Sequence, residues 1–212
     1  MNMDAPTISP AKLAHFVLKT NRYKELVDWY VLVLGAKIVH RDKMATFMTY
    51  DDEHHRLGIL NMPVIPQTRA MAGVDHIAFT YGSLRDLLAT YERLKEAGIE
   101  PVWPVNHGAT LSFYYRDPDS NAIELQVDAF SSLEATHEFL RDGRFAINPI
   151  GIDFDPEDLL ARHKAGASDE ELMRWPEKVT ARTEPPAAAY LGHFHAALFK
   201  AAGLAKSRSR RS

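Results

Sequence analysis

The chain has 212 residues, 46% of them hydrophobic, so it can bury a sizeable core as one long domain or two small ones. A net charge of −3 argues against nucleic acid as a partner, and the absence of cysteine excludes disulfides, thiolate metal sites and a cysteine nucleophile. Because the N-terminus lacks signal-peptide features and no run of about 18 apolar residues could cross a bilayer, we expect a cytoplasmic protein without a membrane partner.

The first structural unit is predicted for residues 11–62. It begins with an apolar strand, LAHFVLK, which carries His15 near its start. An amphipathic helix follows, in which apolar residues recur at helical spacing: Leu26, Trp29, Tyr30 and Val33. Gly35 suits the left-handed position at the end of that helix. Two strand-like runs, MATFMTYD and RLGILN, come after a strand directly behind Gly35.

A second unit with the same order is predicted for residues 73–127. Its first strand, GVDHIAFT, carries His76 at the position equivalent to His15. The helix has apolar residues at Leu84, Leu87, Leu88, Tyr91 and Leu94, and Gly98 follows it. The strands ATLSFYYRD and AIELQ close the unit. The repeat predicts an α+β fold of two tandem βαβββ units that complete one another's core.

The remaining segments differ in character from the repeat. Residues 61–72 contain two prolines and no periodicity, which predicts a linker. Residues 128–212 alternate short helical patterns with proline-rich breaks, which predicts a mainly helical and irregular C-terminal extension. We expect the basic stretch KSRSRRS at its end, residues 206–212, to be a disordered tail.

Three strands of the repeat each offer one candidate metal ligand. Period-two alternation places His15, His76 and Glu124 each on one face of its strand, and it turns Tyr114 toward the face of Glu124. Burying Glu124 without a partner would be costly, so either it faces solvent or a positive group lies beside it. Two imidazoles and one carboxylate suit a non-haem Fe(II) site with open positions. The competing interpretation is that both histidines are hydrogen-bonded structural residues and that Glu124 is a solvent-facing strand residue.

The repeat, with WYVLVLGAKIVHRD and DHIAF, resembles the vicinal oxygen chelate superfamily. Within it, HGATLSFYYRDPDSNAIE is similar to the ring-cleavage signature of type I extradiol dioxygenases. That signature has a histidine, a tyrosine, an acid–proline turn and a glutamate, which are here His107, Tyr114, Asp117, Pro118 and Glu124. Ser120 stands where the signature has glycine or proline, and Asn121 beside it can accept a left-handed conformation.

The resemblance implies that the two units form one metal-binding half-barrel module. It implies His15, His76 and Glu124 as the ligands of Fe(II), with Mn(II) as an alternative that suits the same ligands. It implies an enzyme that cleaves the ring of a catechol-type substrate with O2 and that forms a homo-oligomer. The catalytic residues implied are His107 and Tyr114, which bond substrate or oxygen, and His55, the second histidine of DDEHHRLGIL, as acid–base residue.

Other members of the superfamily define the alternatives. One is a metal-dependent glyoxalase or isomerase, and another is a metal-free resistance protein that binds a small molecule. Aligning the two units places Gly58 where Glu124 stands in the second, and the missing carboxylate argues against a glyoxalase-type site. Phe16, Phe47 and Trp103 fit the wall of a substrate pocket and fit the core equally well.

Overall fold

A computed structural model describes residues 7–65 and 72–186 of the chain. It divides the chain into two compact units, with the boundary between residues 66 and 67. The predicted basic tail, residues 206–212, lies outside the described residues. Over the described ranges, no helix is both long enough and apolar enough to span a membrane.

The first unit has one helix and a four-stranded sheet. Its elements are β1 (Phe16–Thr20), α1 (Tyr23–Leu34), β2 (Lys37–Arg41), β3 (Ala45–Thr49) and β4 (Leu57–Asn61). The strand order is β1-β4-β3-β2, and only the β1–β4 pair is parallel. Gly35 ends α1 with φ of 62°, a left-handed conformation that glycine adopts without steric cost.

The second unit repeats this order. Its elements are β5 (His76–Thr80), α2 (Leu84–Glu96), β6 (Trp103–Asn106), β7 (Thr110–Arg116) and β8 (Ala122–Asp128). The strand order β5-β8-β7-β6 matches that of the first sheet. Ser83 caps α2 by accepting a hydrogen bond from the backbone N–H of Asp86. All five apolar positions predicted for the buried face of α2 are buried, which confirms the predicted amphipathic helix.

Strand register confirms that the two units align as the sequence predicted. Gly58 in β4 and Glu124 in β8 occupy equivalent places between two neighbouring strands. The residues paired with them are Val17 and Phe47 in the first sheet and Ala78 and Tyr114 in the second. His15 lies two residues before Val17, and His76 lies two residues before Ala78. The two histidines therefore occupy equivalent positions.

The C-terminal extension continues the second unit. Its described elements are α3 (Leu133–Arg141), α4 (Gly143–Ile147), β9 (Ile152–Asp153), α5 (Pro156–Lys164) and α6 (Asp169–Met173). Three of its helices were predicted from the sequence, whereas α4 and β9 were not. Strand β9 pairs with β6 and adds a fifth strand to the second sheet. The predicted α+β class and order of elements are confirmed, and the extension reaches the sheet through β9.

Candidate active site

Glu124 lies in the middle of the second sheet, with β5 on one side and β7 on the other. Its cross-strand neighbours are Ala78 in β5 and Tyr114 in β7. The residue is only 4% exposed, although it carries a carboxylate. A buried carboxylate needs hydrogen-bond donors or a positive partner, because its desolvation is otherwise very costly.

His76 supplies that partner. Its Nε2 lies 3.1 Å from Oε2 of Glu124, and its Nδ1 lies 2.8 Å from Oδ2 of Asp75. The hydrogen bond to Glu124 outweighs the opposing effect of burial, and with the bond to Asp75 it raises the pKa of His76 to about 9. Both ring nitrogens therefore donate to carboxylates, and the imidazole is a cation at neutral pH when no metal ion is bound.

The electrostatic surroundings keep Glu124 ionised. Burial raises the pKa of this carboxyl, but hydrogen bonds from His76 and Ser112 lower it by a larger amount. The net result is a pKa below the usual value. The competing interpretation of Glu124 as a solvent-facing strand residue is wrong, because its carboxylate is buried among polar partners.

His107 and Tyr114 lie beside this pair. Nε2 of His107 is 3.2 Å from the Tyr114 hydroxyl and 3.9 Å from Oε1 of Glu124. Burial lowers the pKa of His107 and, with the nearby charge of Glu124, raises the pKa of Tyr114. Tyr114 therefore stays protonated and can donate a hydrogen bond, while His107 is neutral at physiological pH.

In the first unit, the rings of His15 and His55 are stacked, with centroids 4.3 Å apart and planes inclined by 28°. The ring of Phe47 lies 5.0 Å from that of His55. Burial and the charges of the neighbouring histidines lower the pKa of His55. Gly58 is paired with Val17 and Phe47, and a Cβ there would lie 3.2 Å from Val17 and 3.3 Å from Phe47. The first unit therefore has a glycine closely covered by apolar groups where the second has Glu124.

The structure thus groups the predicted site residues by unit. The second unit brings together His76, His107, Tyr114 and Glu124, and the first brings together His15 and His55. Within residues 7–65 and 72–186, no three histidine, aspartate or glutamate side chains converge on a common metal position.

Two of the predicted ligands nevertheless fit a divalent metal ion. An imidazole nitrogen of His76 and a carboxylate oxygen of Glu124 face each other across one sheet surface, a donor pair that suits iron or manganese. Asp75 accepts from the other nitrogen of His76, as the outer partner of a metal-bound histidine commonly does. A metal ion would replace the proton that Nε2 now shares with Glu124.

The chain is similar to known proteins of one superfamily. The profile of the Glyoxalase/Bleomycin resistance protein/Dioxygenase superfamily matches residues 12–125. The chain belongs to this superfamily. Because that match covers both βαβββ units, it confirms the predicted vicinal oxygen chelate family.

Three superfamily relatives are dioxygenases by name. Biphenyl-2,3-diol 1,2-dioxygenase 3 of Rhodococcus globerulus is 41% identical over 169 residues, covering 78% of this chain and 88% of the relative. Biphenyl-2,3-diol 1,2-dioxygenase 2 of the same organism is 44% identical over 147 residues, covering 68% and 77%. Catechol-2,3-dioxygenase of Bacillus subtilis (strain 168) is 26% identical over 172 residues, covering 80% and 53%. The predicted resemblance to extradiol dioxygenases of the superfamily is confirmed.

Sequence reasoning missed three groups that contact the site. Asp75 directly precedes His76, so the Asp–His pair was visible in the sequence but was not interpreted. Ser112, two residues before Tyr114 in β7, has a hydrogen bond to Glu124 that the sequence did not reveal. The third is the backbone carbonyl of Ile150, which lies 2.6 Å from Nδ1 of His107. No residue type signals a backbone acceptor, so the sequence offered no means of finding it.

Proposed function

We propose that the protein is an Fe(II)-dependent extradiol dioxygenase that cleaves the ring of a catechol-type substrate with O2. The observation that carries this proposal is the buried Glu124 carboxylate, held by His76 and flanked by His107 and Tyr114. Similarity to two biphenyl-2,3-diol 1,2-dioxygenases over most of the chain supports an extradiol ring-cleaving enzyme.

The proposed metal ligands are His15, His76 and Glu124. For His76 and Glu124 the support is their approach to 3.1 Å on one sheet surface. For His15 the support is that it lies two residues before Val17, the partner of Gly58, just as His76 lies two residues before Ala78, the partner of Glu124.

Bound Fe(II) would supply open coordination positions for a diol and for dioxygen. The chain's own side chains would orient the diol, transfer protons and stabilise developing charge. The Tyr114 hydroxyl is placed to donate a hydrogen bond to an oxygen that becomes anionic during ring opening, and Nε2 of His107, 3.2 Å from it, is placed to accept one from a substrate hydroxyl. His55 is the proposed acid–base residue, and its stacking on His15 supports its assignment beside a proposed ligand.

We propose a substrate with two adjacent ring hydroxyls, and biphenyl-2,3-diol is the first compound to test because two relatives are named for it. Mn(II) is the alternative metal, since it accepts the same ligands. We also propose that the protein is a homo-oligomer.

The test begins with protein that is purified without oxygen and loaded with Fe(II) or Mn(II). Oxygen uptake and the yellow colour of a ring-opened product are measured with biphenyl-2,3-diol, catechol and 3-substituted catechols. Metal content and turnover are then compared for wild type, His76→Ala and Glu124→Gln. We expect both variants to lose bound metal and ring cleavage while they remain folded. His137→Ala is the matched control, because His137 is an exposed histidine of α3.

Two outcomes would contradict the proposal. The first is full turnover by His76→Ala, which would show that this imidazole is not a required ligand. The second is an absence of oxygen uptake with every diol and either metal. A hemithioacetal converted in the presence of Ni(II) or Zn(II) would then indicate a glyoxalase-type enzyme, and drug binding without any metal would indicate a resistance protein.

A further inference from the structure

The C-terminal extension determines which nitrogen of His107 carries the proton. The backbone carbonyl of Ile150 lies 2.6 Å from Nδ1 of this ring. A carbonyl only accepts hydrogen bonds, so the contact requires a proton on Nδ1 and leaves Nε2 bare in the neutral ring. Nε2 is the nitrogen that lies 3.2 Å from the Tyr114 hydroxyl and 3.9 Å from Glu124. The extension thus presents the unprotonated nitrogen to the proposed site.

Asn148 shapes the turn that presents this carbonyl. The residue is only 3% exposed, and its side chain uses both of its polar atoms inside the turn. Oδ1 accepts from the backbone N–H groups of Ile150, at 3.2 Å, and Gly151, at 2.8 Å. Nδ2 donates to the carbonyl of Gly151 at 3.1 Å. Because Asn148 binds the residues on both sides of the Ile150 carbonyl, it fixes the direction in which that oxygen points.

The turn also lies very close to the loop that carries His107. Gly151 has φ of +116°, and a Cβ there would lie 2.6 Å from the backbone oxygen of Asn106. The same Cβ would be 3.1 Å from Nδ1 of His107. Next to the turn, β9 pairs with β6, which places Ile152 opposite Asn106. The turn is therefore anchored to the sheet on the side where it meets the imidazole.

We propose that Asn148 is a positioning residue for ring cleavage. Acting through the Ile150 carbonyl, it holds His107 as the Nδ1–H tautomer with Nε2 directed at Tyr114 and Glu124. The effect on catalysis rests on the proposed dioxygenase activity, whereas the effect on the tautomer does not. A ring released from this contact would populate both tautomers, and Nε2 of the Nε2–H form could not accept a hydrogen bond at the site.

The experiment compares wild type, Asn148→Ala and Asn148→Asp as full-length chains. The tautomer of His107 is read by NMR of metal-free protein containing ¹⁵N-labelled histidine, with His107→Gln used to assign its signals. Activity is measured on protein loaded with Fe(II), with biphenyl-2,3-diol as substrate. Ser132→Ala is the control, because it removes the N-cap of α3 in the same extension without touching the turn.

We expect wild type to show a single Nδ1–H tautomer and Asn148→Ala to show a mixture. We also expect kcat of Asn148→Ala to fall about tenfold or more with KM nearly unchanged, because a misplaced hydrogen-bonding group at the reacting atoms affects the reacting step. Asn148→Asp retains both acceptor contacts to backbone N–H groups but no donor to Gly151, so its tautomer ratio and kcat should fall between the other two.

The inference is overturned if Asn148→Ala keeps the wild-type tautomer, or if Ser132→Ala reduces kcat by the same factor. The tautomer measurement separates this inference from the proposed function. If the wild type cleaves no diol but Asn148→Ala still loses the Nδ1–H tautomer, Asn148 positions His107 and the proposed reaction is wrong. If the wild type cleaves diols and the tautomer is insensitive to Asn148, the positioning inference alone is wrong.

Discussion

The indole of Trp103 stacks on the phenol ring of Tyr114, with centroids 5.0 Å apart and planes inclined by 26°. Its Nε1–H donates to Oδ1 of Asp153 at 2.7 Å, and the same oxygen accepts from Arg182 at 2.6 Å. Trp103 is thus held between the tyrosine of the site and the C-terminal extension. The sequence left Trp103 open between a core residue and a pocket wall, and the stack makes it a support for Tyr114.

This support predicts different outcomes for two substitutions of Trp103. Trp103→Phe keeps an aromatic ring against Tyr114 and loses the bond to Asp153, so it should lower the free energy of unfolding by about 1–2 kcal/mol. Trp103→Ala removes the stacked ring altogether and should cost about 3–5 kcal/mol. We expect activity to persist in the first variant and to fall sharply in the second. Urea unfolding and kcat/KM measure both effects, and equal losses in the two variants would contradict the role of stacking.

The Tyr114 hydroxyl should matter more to the reaction than to folding. Tyr114→Phe retains the ring that packs on Trp103 and removes the donor beside His107. We expect kcat to fall by about 10²–10³, the usual effect of removing one donor to a developing anion, with metal content unchanged.

Tyr115→Phe is the matched control for this change. Tyr115 is the next residue of β7 and faces the opposite way, and its hydroxyl is buried without a hydrogen-bond partner in the part of the chain described. Its removal should leave kcat unchanged. A loss of kcat equal in the two variants would show that the Tyr114 hydroxyl has no special role.

Much of the fold was predictable because it rests on local, periodic signals. The apolar spacing in the two helices, Gly35 and Gly98 behind them, and the alternation along each strand all report backbone geometry directly. The repeat then fixed which strands correspond, so that His15 and His76 were matched before their register was known. Glu124 stood out for an electrostatic reason, because an ionised group between Ile123 and Leu125 requires a partner.

The supports of the site were not predictable in the same way. Their contacts join residues far apart in the sequence, and several involve backbone atoms that any residue type could supply. The Ile150 carbonyl reaches His107 across 43 residues, and Asp153 reaches Trp103 across 50. The short strand β9, which brings these groups to the sheet, has too few residues to show alternation. Sequence patterns therefore indicated the polar side chains that gather on the second sheet, whereas the groups that orient them lay beyond those patterns.

The turn before Glu124 corrects one detail of the sequence interpretation. Asn121 was the residue considered able to take a left-handed conformation, but Ser120 has φ of 67° and is the only non-glycine residue with positive φ in the described ranges. Asn121 is instead held by Asp117, which accepts from its backbone N–H and from its side-chain amide, both at 2.8 Å. Ser120 is therefore the left-handed residue of this turn.

Replacing Ser120 by glycine should therefore stabilise the protein. Glycine adopts positive φ freely, whereas serine loses about 1–2 kcal/mol there, and part of this gain is offset by the greater freedom of glycine in the unfolded chain. We expect Ser120→Gly to raise the free energy of unfolding by about 0.5–1 kcal/mol in urea titrations. Ser120→Ala, which keeps a Cβ, should show no such gain. A lower stability for the glycine variant would contradict the strain assigned to this turn.

Replacing Gly108, next to His107, by alanine should lower the free energy of unfolding by more than Ser120→Gly raises it. Gly108 has φ of +83°, and a Cβ there would lie 2.1 Å from Cζ of Phe139 and 2.9 Å from Cε3 of Trp175. Gly108→Ala therefore combines backbone strain with overlap against two aromatic side chains of the extension, and we expect it to lower the free energy of unfolding by about 2–5 kcal/mol.

Gly35→Ala is the control for this change. Gly35 has φ of +62° and nothing within 4 Å of its Cβ, so strain alone should lower the free energy of unfolding by about 1–2 kcal/mol. Thermal and urea unfolding compare the two variants. Equal losses would contradict the packing of the extension against the His107 loop.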